Sequence, residues 1–181
     1  MTKFIDTEWR AIYQRCLDKT YMKETNVQRG RRLMKQERNS ESVTVNASIK
    51  FIIKGSYYGD KCFPGLNDLL HEAERHPKAY NTMKQQYQML AVNAIRRHLR
   101  GFKAQGLVIP HYTFCEPKKG NKRDYDNIAA AGRKIINDAL TKTGTIKDDS
   151  PQYLGYGTNT FIYADEPFIE VLLETVETLD S

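Results

Sequence analysis

Residues 123–149 read RDYDNIAAAGRKIINDALTKTGTIKDD, and the fold turns on how this stretch is read. Ile128, Ala131, Ile135, Ile136, Ala139 and Leu140 recur at the spacing of one apolar helical face, which predicts a helix from Asp126 to Thr143. Gly144 then stands where a helix end favours a residue tolerant of the left-handed conformation. Acids bracket the helix, with Asp124 and Asp126 before it and Asp148 and Asp149 after it. Four cations crowd its entrance: Lys118, Lys119, Lys122 and Arg123.

Outward from this helix the chain alternates. Upstream, LVIPHYTF (107–114) reads as a short strand that delivers the chain to Glu116 and the basic loop. Further back, VNASIKFIIKG (45–55) is rich in β-branched residues and reads as another strand. SYYGDKCFPGLND follows as a loop. From Leu66 to about Phe102 the pattern is helical, in two pieces split by Pro77. In the second piece Met83, Tyr87, Leu90, Ala91, Ala94, Ile95 and Leu99 form an apolar stripe. Arg96, Arg97, Arg100 and Lys103 gather near its C-terminal end, where the helix dipole favours cations. Downstream, IKDDSPQ is a turn, and TFIYADEPFIEVLLETV reads as two short strands around a tight DEP turn. The order β, α, α, β, α, β, β implies an α/β or α+β sandwich, a mixed sheet packed by helices. We expect two parts, an N-terminal helical and basic extension over 1–45 and one domain over 46–181. In the extension, Trp9, Ile12, Tyr13, Cys16 and Leu17 share a helical face that Asp6 or Thr7 can cap.

Charge is laid out unevenly. Between Lys78 and Lys134 there are 12 basic residues against three acids, and from Ile135 to Ser181 two basic residues against nine acids. A basic middle suits a polyanion, nucleic acid above all, although a solvated helix face would look the same. No apolar run approaches the roughly 20 residues a membrane span needs. MTKFIDTEWR has acids and lacks the apolar segment of a secretory signal. Cys16, Cys62 and Cys115 are widely spaced, form no zinc pattern and are odd in number, so a reducing cytoplasm is expected and structural zinc is not.

The acids carry the chemistry. Hard divalent cations take a few carboxylate oxygens and leave room for substrate phosphates. In an extended loop Asp124 and Asp126 point the same way. A helix of 18 residues, however, carries the chain about 27 Å away. The following turn must bring Asp148 and Asp149 back, or a dimer must bring them across. Taken singly, Asp126 can be read as a helix cap and the second pair as a turn. Tyr57 and Tyr58 are candidates for stacking on unpaired bases, or for loop and core packing. His71, His76, His98 and His111 have no ligand spacing.

The run Arg123-Asp124-Tyr125-Asp126-Asn127, the Asp138-Ala139-Leu140-Thr141-Lys142-Thr143-Gly144 helix end and the Asp148-Asp149 pair resemble the signature of the RusA-like crossover junction endodeoxyribonucleases, common in phages and prophages. The likeness extends to Pro167, Ile169, Glu170 and Val171, and more loosely over about 48–174. It departs in three ways. The 1–45 extension lies outside the family core. The helix is one turn longer than in the shortest relatives, so the family lysine falls at Lys134, with Ala130 in the ungapped place. Phe168 stands where a basic or polar residue often precedes the last strand.

The resemblance implies a Mg²⁺-dependent homodimer, with Mn²⁺ as a substitute, that resolves four-way (Holliday) DNA junctions by paired symmetric nicks in a bacterial cytoplasm. It implies Asp124, Asp126 and Asp149 as metal ligands, Asp148 as the alternative to Asp149, and Lys134 as a catalytic cation. Lys118, Lys119, Lys122 and Arg123 are then expected on phosphates, and Glu116 becomes a candidate extra ligand or base. Rival readings are a metal-dependent nuclease for flaps or forks, and a junction-binding protein without catalysis. A further possibility is a protein partner recruited through the N-terminal extension.

Overall fold

The computed structural model describes residues 45–59 and 62–176. The expectations for the 1–45 extension lie outside them, save for the first residue of the first strand. Within them, four strands and three helices alternate: β1 (Val45–Lys54), α1 (Leu66–Arg75), α2 (Pro77–Leu99), β2 (Leu107–Pro117), α3 (Tyr125–Lys142), β3 (Asn159–Ala164) and β4 (Phe168–Val176). This is an α+β arrangement on one mixed sheet of order β1-β4-β2-β3. β4 pairs antiparallel with both β1 and β2, whereas β3 runs parallel to β2.

Strand alternation sorts the sheet into two faces. Phe51 and Ile53 of β1, Ile169, Val171 and Leu173 of β4, and Tyr112 and Phe114 of β2 lie on one face and are buried. Ala91, Ile95 and Leu99 of α2 and Ile128, Ile135, Ile136, Ala139 and Leu140 of α3 complete the same core. The opposite face is mixed: half-buried Ile52, Ile109 and Leu172 lie there beside ion pairs from Lys50 to Glu170 at 3.3 Å and from His111 to Glu174 at 3.2 Å. One covered face explains the alternating β4 sequence.

The helices are set by local signals. Pro77 opens α2 at its first turn, and His76 Nδ1 accepts from the Lys78 amide at 3.0 Å. Gly144, at φ +70°, ends α3 as expected. Gly132 lets α3 settle on the sheet, because a Cβ there would lie 2.6 Å from the Phe114 ring.

Two expectations change. β2 is longer than 107–114 and runs to Pro117, so Glu116 is a strand residue on the helix-covered face. The strands flanking the Asp165-Glu166-Pro167 turn do not pair with each other, because β2 lies between them. The β2–α3–β3 segment is instead a parallel crossover, the connection a parallel pair requires. The loop from β2 into α3 therefore lies at the carboxyl end of β2, where open α/β sheets place their ligands.

Candidate active site

The loop entering α3 is held by a buried ion pair. Arg123 donates to both carboxylate oxygens of Glu116 at 2.8 Å, with a third bond from Nε at 3.0 Å. Its Nη1 also lies 3.4 Å from Asp68 Oδ2. Asp68 accepts from the Gly65 amide at 2.7 Å, and Asn127 Oδ1 accepts from the Asn67 amide at 2.8 Å. Asn127 thus ties the first turn of α3 to the first turn of α1. Glu116 is committed to Arg123, with its side chain only 10% exposed, so it holds the loop and is not an open ligand or base. Arg123 faces two carboxylates and anchors the loop, which leaves phosphate contact to its neighbours.

Those neighbours are exposed. Lys122 folds back, donating to the carbonyls of Pro117 and Lys118 and lying 3.8 Å over the Tyr163 ring. Lys118 sits 3.4 Å from the exposed Asp165. Lys119 is exposed at the tip. Ion pairs of this exposure contribute at most about 1 kcal/mol and yield readily to a phosphate.

Asp124 is the N-cap residue of α3, though its side chain makes no capping bond, and Asp126 lies in the first turn. Both are exposed. The aspartates at 68, 138, 149 and 165 each have a cationic partner. Asp124, Asp126 and Asp148 have none among the described residues.

The second acidic pair does fold back, but only part of the way. Lys134 Nζ lies 3.0 Å from Asp149 Oδ2 and 2.8 Å from Asp138 Oδ1, and Lys84 holds the other Asp138 oxygen at 2.7 Å. Lys134 is eight residues beyond Asp126, about 12 Å along the helix axis. Asp148 Oδ1 accepts the Ser150 amide at 3.1 Å. Among the described residues no three His, Cys, Asp or Glu side chains stand together closely enough to hold a metal ion. The expected joint site of Asp124, Asp126 and Asp149 is therefore not assembled within this chain as it stands. The carboxylates suit a hard divalent cation in kind, but not in arrangement. The physical reason is the length of α3 together with the Lys134 ammonium, which neutralises Asp149 where a cation would.

The same ammonium, by its hydrogen bond to Asp149, holds that carboxyl below its ordinary range, and its bonds to Asp138 and Asp149 raise Lys134. A depressed carboxylate pKa adds stability above the unfolded value near 3.9, and that gain is lost as pH falls through the folded value. Lys134 and Asp149 are 57% and 41% exposed, so screening limits the gain to about 0.5 kcal/mol. Lys134→Ala should accordingly raise the Asp149 titration, followed by carboxyl-carbon NMR, toward the ordinary carboxylate range, with almost no change in urea midpoint.

Beside Asp126 the surface opens into a cleft of about 280 Å³ lined by Asp126, Ala129, Ala130, Arg133, Tyr156 and Asn159. The Arg133 guanidinium lies 4.0 Å from the centre of the Tyr156 ring and 5.5 Å from that of Tyr112. Tyr156 is 83% exposed. Asn159 Oδ1 is buried without a hydrogen-bond partner among the described residues. Periodicity gives no sign of these residues; the only sequence signal is an aromatic between Gly155 and Gly157. Tyr57 and Tyr58 divide. Tyr58 packs on Phe63 and Tyr87, while the Tyr57 hydroxyl accepts from Arg97 at 2.7 Å.

Neither protein-family models nor curated proteins give a match to this chain.

Proposed function

We propose that the chain is a structure-specific endodeoxyribonuclease of the RusA-like kind, cutting four-way DNA junctions as a homodimer with Mg²⁺ or Mn²⁺. The observation that carries this reading is the flank of α3. Asp124 at its N-cap and Asp126 in its first turn are exposed and have no ion-pair partner among the described residues, and the Asp148–Asp149 turn comes back against the same helix at Lys134. A carboxylate flank beside a cationic loop is what phosphodiester hydrolysis needs. Lysines draw the phosphate in, and acids serve the attacking water and any hard cation that a divalent-dependent nuclease recruits. In this reading Lys118, Lys119 and Lys122 bind the backbone, Arg123 and Glu116 fix the loop, and Asp124 and Asp126 face the reacting phosphate. A twofold junction asks for two such flanks, which a C2 dimer supplies.

The deciding experiment is a nicking assay on a mobile four-way junction, with a Y-fork and a linear duplex as comparisons. Paired symmetric nicks on the junction, lost in EDTA, support the proposal, and faster cutting of the fork favours the flap or fork nuclease. The Lys134–Asp149 ion pair favours a second reading, a junction-binding protein without catalysis. A chain that binds junctions yet never nicks them in Mg²⁺ or Mn²⁺ would establish it.

Binding itself should be strongly salt-dependent. Replacing Lys118, Lys119 and Lys122 together with alanine should make the slope of log K against log salt shallower by about 3, as three released counterions require. An unchanged slope would remove the loop from the DNA-facing surface.

A further inference from the structure

Four features of the cleft beside Asp126 are unusual together. Tyr156 is a large ring at 83% exposure on a short loop. One side of that ring is under the Arg133 guanidinium at 4.0 Å, and Arg133 has no carboxylate partner among the described residues. Asn159, at the start of β3, lines the cleft and carries a buried amide oxygen with no donor among the described residues. Asp126, the acid placed at the reacting phosphate, forms its other wall.

The loop geometry explains how the ring is held outward. Gly157 packs so tightly on β2 that a Cβ would overlap the Pro110 carbonyl, and a Cβ on Gly155 would come within 3.2 Å of the Ile109 side chain. The Gly155 amide donates to the Val108 carbonyl at 2.8 Å, and the Tyr112 amide to that of Thr158 at 2.9 Å. The backbone on either side of Tyr156 is thereby fixed to β2, and the ring between has nowhere to go but out.

A flat aromatic face and a cation without an acid among the described residues match the face of a base and a phosphate. The ring offers stacking to a base of any sequence. The guanidinium serves a phosphate oxygen or extends the stack. We propose that this cleft receives one nucleobase displaced from the stack of the branched DNA, next to the phosphate that faces Asp126. The inference rests on the nuclease reading and adds to it the residues that grip the substrate at the branch. Tyr156 is a stacking residue in this scheme, and Arg133 lies on its inner side.

Binding in EDTA separates this from cleavage. A set of four-way junctions is made with a single abasic nucleotide at each of the positions flanking the crossover, and affinities are measured for wild type, Tyr156→Ala and Tyr156→Phe. Tyr156→Ala should weaken binding to the intact junction about tenfold, the scale of one lost base stack. At one abasic position the wild type should lose the same factor and Tyr156→Ala should lose nothing more. Tyr156→Phe should bind as wild type, because the ring face and not the hydroxyl carries the stack. Tyr156→Ala losing nothing, or losing equally across the whole abasic set, overturns the cleft. If Asp126→Asn in that case still binds without nicking, the nuclease reading survives the loss. A wild-type chain that does not bind branched DNA in EDTA removes both.

Discussion

Asp126→Asn should lower the nicking rate on a four-way junction by about 10³-fold or more, the scale of losing a group that acts in the transition state. Affinity for the junction in EDTA should stay within about twofold, because exposed lysines of the loop, not the aspartates, supply most phosphate attraction. Asp126 is exposed in the first turn of α3 and has no cationic partner among the described residues, so its charge is not needed to balance the fold. Asparagine keeps the size and removes the charge. The helix start loses only the 0.3–1 kcal/mol or so of a favourable dipole interaction. Rate and affinity must therefore come apart. A variant that nicks at the wild-type rate would exclude Asp126 from the chemistry, and one that no longer binds would make it a folding residue.

The second large effect is on stability. Phe114→Ala should cost about 3–5 kcal/mol, a major fraction of the roughly 5–15 kcal/mol that holds a domain together. The Phe114 ring stacks on Tyr112 at 5.9 Å and on Phe161 at 5.4 Å, and Tyr125 continues the column at 4.3 Å from Phe161. On its other side it fills the space left by the missing side chain of Gly132. Removing the ring opens a cavity between α3 and β2 that Gly132 has no atoms to fill. Urea denaturation should show a lower midpoint with an unchanged slope. A loss under about 1 kcal/mol would mean that α3 does not bear on this ring.

Much of this architecture was legible from residue spacing, because the forces that make it are local. The period of Ile128, Ile135, Ile136 and Leu140 set α3, Pro77 separated α1 from α2, and Gly144 closed the helix. What escaped depended on distant partners. Glu116 looked like a loop acid because a carboxylate at a buried strand position is costly alone, and Arg123 is what makes it tolerable. The DEP turn gave two strands but no neighbours, since nothing in its residues tells that β2 lies between them. Convergence of the aspartates was a statement about a return path, and the path ends at Lys134, short of Asp126. Tyr156 and Asn159 were invisible because an irregular loop and a strand start have no period to betray them.

Lys134 has one more implication. The far end of the α3 flank carries a counter-ion on a covalent tether, which serves Asp138 and Asp149 at once. Those charges are quenched from within the polypeptide, so the domain can close there without borrowing salt from its surroundings. Asp124 and Asp126, at the near end, are left bare, and it is they that register the ionic make-up of the solvent.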